Sequence, residues 1–140
     1  MTFTHTIRPR YAEVDMQGVV FNAHWLTYFD EASTRWFESI GFPPKETFVE
    51  GGAFDVMVVN AVLDWMGPAG FDDVVQVAVR PERIGGKSFA IRLIASVDGR
   101  RVCEGVITYV SVTPGTSESR PIPAVLRERL ETGLDGDAPS

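Results

Sequence analysis

Asp15, Gly18 and Asn22 stand close together in the chemically densest stretch of this 140-residue sequence, Arg10-Tyr11-Ala12-Glu13-Val14-Asp15-Met16-Gln17-Gly18-Val19-Val20-Phe21-Asn22-Ala23-His24-Trp25. A carboxylate sits at the end of a polar loop, a glycine follows, and an apolar lead runs into a helix. A helix start exposes unpaired N–H groups and the positive end of the dipole. A carbonyl oxygen docked there is polarised, and negative charge developing on it is stabilised. Asp15, seven residues before Asn22, would then act on the carbonyl carbon or on a water beside it. The chemistry on offer is acyl transfer. The same spacing also fits an aspartate that only caps a turn, because Asp often satisfies orphan N–H groups ahead of helices.

Other reactive side chains are sparse. Glu13 is a second carboxylate near Asp15, and two close carboxylates raise one pKa; it faces the same way only if the loop is extended, so it is read as a supporting residue. Glu31, beside the helix aromatics, is placed to hydrogen-bond the loop that carries Asp15. His24 lies two positions past Asn22, which on a helix turns it about 200° away. It is expected at the pocket wall or partly exposed, and His5 reads as an ordinary strand residue. Cys103 is the only cysteine and falls inside a strand pattern, so it is expected as a core thiol with no intrachain disulfide. Two distant histidines and one cysteine make no metal-ligand set. Gly85-Gly86-Lys87-Ser88 joins two strands and is no dinucleotide fingerprint, since no Gly-x-Gly-x-x-Gly opens a helix.

These residues need a scaffold, and the periodicity supplies one. Thr2 to Tyr11 alternates as a first strand, with Pro9 placing it at an edge or a strand end. Glu13 to Gly18 reads as a loop. From Asn22 to Ile40 the period changes: Leu26, Phe29, Ser33, Trp36, Phe37 and Ile40 recur at three and four, one face of a long core helix. Asn22 is its expected N-cap, with Gly41 and Pro43 as stop signals. Four more alternating runs follow, Ala53–Met66, Asp72–Glu82, Lys87–Val97 and Arg101–Thr113. In the first of them Met57, Val59, Ala61, Leu63 and Trp65 share one face. The breaks are Gly67-Pro68-Ala69-Gly70, Gly85-Gly86 and the hairpin signal Asp98-Gly99. Pro121 to Leu134 reads as a terminal helix.

Short turns imply antiparallel neighbours. One strongly apolar helix and one sheet bury each other only if the sheet curls round the helix. The expectation is an α+β fold, a curved antiparallel sheet of about five strands wrapped around one long central helix. Residues 1–134 form a single domain and 135–140 a frayed tail. A net charge of -6 with scattered basic residues argues against a nucleic-acid surface. No apolar run reaches the length of a membrane span and no signal peptide is evident, so a cytoplasmic protein is expected.

The run from Asp15 to Ala32 resembles the signature of the 4-hydroxybenzoyl-CoA thioesterase-like branch of the hot-dog superfamily: Asp, then Gly-Val-Val-aromatic three residues later, then Asn or His, an aromatic, and Tyr/Phe-Phe-Glu/Asp-x-Ala. The resemblance extends over nearly the whole chain through the strand order, the Gly-Gly-Lys-Ser turn and Pro121-Ile122-Pro123. It implies acyl-CoA thioester hydrolysis, with Asp15 as nucleophile or general base and the Asn22 N–H as the oxyanion donor. Many members carry His where this chain has Asn22, so a side-chain acid/base role is lost and the backbone role survives.

Glu13, Gly18, Val19, Phe21, His24, Trp25, Phe54 and Asn60 are the candidates for the pocket or its support, and the resemblance implies that residues near Phe54 to Asn60 come from a partner chain. Arg83, Gly85, Gly86, Lys87 and Ser88 approach the CoA. Acyl-CoA or an acyl-carrier-protein thioester is the expected partner, with no cofactor, in a homodimer or homotetramer. A hot-dog dehydratase or hydratase, which uses a helix histidine, and a non-catalytic acyl-CoA-binding module are the alternatives.

Overall fold

The alternating runs form strands β1 (Phe3–Ile7), β2 (Asp55–Trp65), β3 (Val75–Ile84), β4 (Ser88–Val97) and β5 (Arg100–Val112) in the computed structural model, which describes residues 2–136. Helix α1 spans His24–Ser39, a one-turn α2 spans Pro44–Thr47, and α3 spans Ala124–Gly136. All strand pairs are antiparallel, in the order β1-β3-β4-β5-β2. Hairpins account for β3–β4 and β4–β5. The latter turns at Asp98 and Gly99, both at positive φ, as the tight Asp-Gly turn requires. The two edge pairings close across long stretches of sequence. The expected helix-in-sheet architecture is what the chain adopts.

The centre of the fold is α1 lying on the inner face of the sheet. Trp25, Tyr28, Phe29, Ala32, Ser33, Trp36 and Phe37 are buried. Phe37 meets Phe54, Phe89 and Tyr109 at ring distances of 5.8–6.2 Å. Phe29 lies over Gly105 of β5, where an added Cβ would come within 2.8 Å of its ring. Glycine there lets the helix settle onto the sheet. The buried stripe is rotated from the expected one: Trp25 and Tyr28 are inside, and Leu26 is 39% exposed. The helix stops as its sequence signals, with the Gly41 N–H on Glu38 O and the Phe42 N–H on Phe37 O. At the other end the N-cap is Ala23, so Asn22 precedes the cap and its side chain caps nothing. The His24 N–H bonds Phe21 O instead, a tight turn that delays the helix.

β2 departs from strict alternation. A bulge between Val58 and Asn60 inserts Val59 against β5 and reverses the side-chain parity. Ala61, Leu63 and Trp65 lie opposite Ile107, Gly105 and Cys103 on the helix side. Met57 and Asn60 lie opposite Val110 and Thr108, on the outer side. The expectation that Met57 shares a face with Leu63 and Trp65 is therefore corrected.

Cys103 is buried, and burial pushes its thiol up to about 12, as an inert core cysteine requires. α3 packs Leu126 and Leu130 into the core and sets Gly133 against Pro81. It runs to Gly136, two residues beyond the expected helix end. The rest of the expected tail, 137–140, lies outside the described residues. No described helix is long and apolar enough to cross a membrane.

Candidate active site

Residues 13–21 fold back on themselves as a miniature hairpin. The Phe21 N–H donates to Glu13 O at 3.0 Å and the Asp15 N–H to Val19 O at 2.9 Å. The Gly18 N–H closes the turn on Asp15 O, with Gly18 at φ +78 where L side chains are strained. The Asp15 carboxylate accepts the Gln17 N–H at 2.8 Å through one oxygen. That bond fixes the carboxylate while leaving it half-exposed.

Two contacts dock this hairpin. On one side the Val20 N–H donates to Ala69 O at 2.8 Å and Val19 bridges Gly70, so the Gly67–Gly70 loop after β2 lies against it. The Arg100 guanidinium holds that loop by donating to Pro68 O. On the other side Glu13 points inward. Its carboxylate accepts the Arg10 amide and guanidinium and, at 2.9 Å, the Tyr28 hydroxyl of α1. The hydrogen-bonded Arg10 guanidinium outweighs burial and lowers Glu13 to about 2. Tyr28 is raised, by burial first and then by the adjacent carboxylate. Glu13 is thus a clamp rather than a second carboxylate in the pocket. The loop contact expected of Glu31 is made by Tyr28; Glu31 faces His5 and Arg35.

Asp15 and Asn22 line one cavity of about 470 Å³ with Gln17, Val19, Val20, Trp25 and the Trp65–Ala69 segment. The Asn22 and Ala23 amides have no protein acceptor among the described residues, and the first turn of α1 carries no acidic side chain. A carboxylate and free amides at the positive end of a helix therefore face one space. A second cavity of about 610 Å³ shares Asn22 and Trp65 and is otherwise apolar, lined by Ala23, Leu26, Ala61, Val62 and Leu63. Farther along α1, Asp30, raised by burial, lies with Ser33, Thr34 and Tyr109 in a cavity that includes neither Asp15 nor Asn22.

Of the residues expected in the pocket, Val19 and Trp25 join Asp15 and Asn22, and Gly18 shapes the turn. Phe21 and His24 pack edge-on against each other at 6.0 Å and do not line it. Phe54 is fully buried against Phe37, Phe42 and Phe48. Asn60 faces outward because of the bulge. The wall from Met66 to Ala69 was not foreseen; only its Gly-Pro break showed in the sequence.

The Gly85–Ser88 turn is also remote within one chain. Ser88 pairs with Val110 and Val110 with Met57, which places the turn at the start of β2. Asp15 lies at the Trp65 end, eight residues or roughly 26 Å along the strand. Gly85 O and Gly86 O accept Arg127 from α3, while Arg83 and Lys87 are exposed. Among the described residues no group of three His, Cys, Asp or Glu is arranged to hold a metal.

The profile of a family described as the thioesterase-like superfamily matches residues 9–130. The chain is 26% identical to the long-chain acyl-CoA thioesterase FadM of Escherichia coli, over 89% of this chain and 94% of that one. It is 26% identical to a 1,4-dihydroxy-2-naphthoyl-CoA hydrolase of Nostoc punctiforme, over 94% of this chain and 88% of that one. A Staphylococcus aureus protein solved in complex with CoA superposes with a TM-score of 0.89 at 16% identity, over 100% of this chain and 88% of that one. That last likeness is one of fold.

Proposed function

The chain belongs to the thioesterase-like superfamily, and we propose that it hydrolyses acyl-CoA thioesters with Asp15 as the acting carboxylate. The observation that carries this reading is the shared cavity of Asp15 and the unpaired Asn22 amide. The thioester carbonyl oxygen sits on that amide, and charge building on it is stabilised by the helix end. Asp15 attacks the carbonyl carbon or takes a proton from the attacking water. The C–S bond breaks and the CoA thiolate leaves without a strong general acid. Water supplies the oxygen and proton, giving the free acid and CoA.

A dehydratase would need a histidine in the pocket, and His24 lies outside it. The test is to incubate the purified protein with a panel of acyl-CoAs and a thiol reagent. Release of free CoA supports hydrolysis; saturable binding with no thiol released means a binding module, and loss of enoyl absorbance means a hydratase.

The active unit in this reading is a homodimer joined at β2. The outer edge of β2 pairs with no strand among the described residues, and Met57, Val58, Val59, Val62, Trp65 and Met66 are exposed along it. An unpaired edge of this length invites a second strand. Two-fold antiparallel pairing sets the Asp55 end of one copy beside the Trp65 end of the other. The Gly85–Ser88 turn of the partner then comes within three strand spacings, about 15 Å, of the Asp15 cavity. Arg83 and Lys87 supply cations there for CoA phosphates. A carrier-protein thioester presents the same pantetheine arm without the nucleotide, so comparing the two substrates reads the contribution of that turn.

A further inference from the structure

Trp65 ends β2 on its helix side and borders both the carboxylate cavity and the apolar one. Among the described residues Asn22 is the only other one lining both. The helix-facing positions of β2 grow toward this point, from Ala61 through Leu63 to Trp65, so the row of side chains along the apolar chamber ends on an indole. Within one chain the indole, on the helix side of β2, is 58% exposed and has no ring partner or side-chain hydrogen bond among the described residues, so its face is open to a ligand.

We propose that Trp65 is the specificity-determining residue of the hydrolysis, acting as a partition that limits the width of the acyl group next to its carbonyl. The inference rests on the activity proposed above. With the carbonyl oxygen on the Asn22 amide, the acyl group enters the apolar chamber beside Trp65. A straight chain passes along the indole, whereas a ring attached directly to the carbonyl meets it. Length is then set by the chamber beyond, between Leu26 and Ala61.

The test compares hexanoyl-CoA with benzoyl-CoA in the full-length wild type and in Trp65→Phe and Trp65→Ala. Truncation is expected to raise the benzoyl-to-hexanoyl ratio of kcat/KM at least ~10-fold in Trp65→Ala, with Trp65→Phe between, the range that a filled or emptied apolar pocket produces. A ratio that is unchanged or lower, or an equal fall for both substrates, overturns the partition. Affinities for the uncleavable thioethers S-hexyl-CoA and S-benzyl-CoA are measured in the same three proteins and are expected to shift in the same sense. If the wild type cleaves neither thioester, the hydrolysis reading fails, and the thioether ratio still decides the role of Trp65. Circular dichroism of each variant checks the fold.

Discussion

The Tyr28 hydroxyl donates to the buried Glu13 carboxylate at 2.9 Å, and through that bond the loop carrying Asp15 is fastened to the second turn of α1. The Glu13 carbonyl meanwhile accepts the Phe21 N–H. One residue thereby holds both ends of the hairpin and its helix. Asp15 is two residues from this anchor, so its position inherits the stiffness of the clamp.

Tyr28→Phe removes one hydrogen bond to a charged, buried acceptor and is expected to cost about 1.5–3 kcal/mol of stability. Urea unfolding measures it. Because Arg10 still holds Glu13, the fold should survive, with kcat reduced more than KM as the Asp15 loop loosens. Wild-type stability in the variant would show that the bond holds nothing in place.

Acid should expose the same clamp. Glu13 is lowered to about 2 in the fold, below its ordinary value of 4.5. A depressed carboxylate stabilises the fold above its unfolded pKa and loses that contribution as pH falls through the folded one. The unfolded chain binds the extra proton between about pH 4.5 and 2, so stability drops across that window, by on the order of 1–3 kcal/mol from this group. Glu13→Gln should be less stable than wild type at pH 6 and converge toward it near pH 2. Parallel stability curves over that range would contradict the assignment.

Asp15→Asn is expected to lower kcat at least ~100-fold, with thermal stability and acyl-CoA affinity close to wild type, as loss of a base or nucleophile predicts. Turnover at the wild-type rate would remove Asp15 from the chemistry.

Sharing of sites between copies has a sharper test than oligomer size. Asp15→Asn and Lys87→Glu subunits are each expected to be weakly active alone. Mixed and re-equilibrated in equal amounts, they should recover about a quarter of wild-type activity, because half the dimers are mixed and each holds one intact site. No recovery, with subunit exchange verified, would place both groups in one chain's site.

Gly105→Ala pushes a methyl group to 2.8 Å from the Phe29 ring and should destabilise by about 1–3 kcal/mol. Adding Phe29→Leu should recover part of that loss. Two strictly additive penalties in chemical denaturation would mean the residues do not meet.

Much of this was legible in the residues. The change of period at Asn22 and the breaks at Gly85-Gly86 and Asp98-Gly99 marked the long helix and two hairpins, because local signals govern local geometry. Asp15, Asn22, Val19 and Trp25 were found together because all lie within eleven residues of one another. The Met66–Ala69 wall was not, since its meeting with Val19 and Val20 closes across fifty residues that carry no pairing signal. Glu13 was read as a supporting residue near Asp15, but how it supports was not legible: its partner Tyr28 sits fifteen positions on, and only the rotated helix stripe aims it at the loop. The outward turn of Asn60 escaped because one unpaired residue is invisible to a count of alternating types.

Val59 gives β2 a count that is out of step with its chemistry. Removing that residue would straighten the strand and leave every other pair with β5 as it is. Pairing it with Thr108 instead would slide the second half by one place, and the three side chains that grow toward the carboxylate would turn to the far surface and leave the chamber without a floor. A supernumerary valine, touching no ligand, is in this sense the key that decides which way the lock faces.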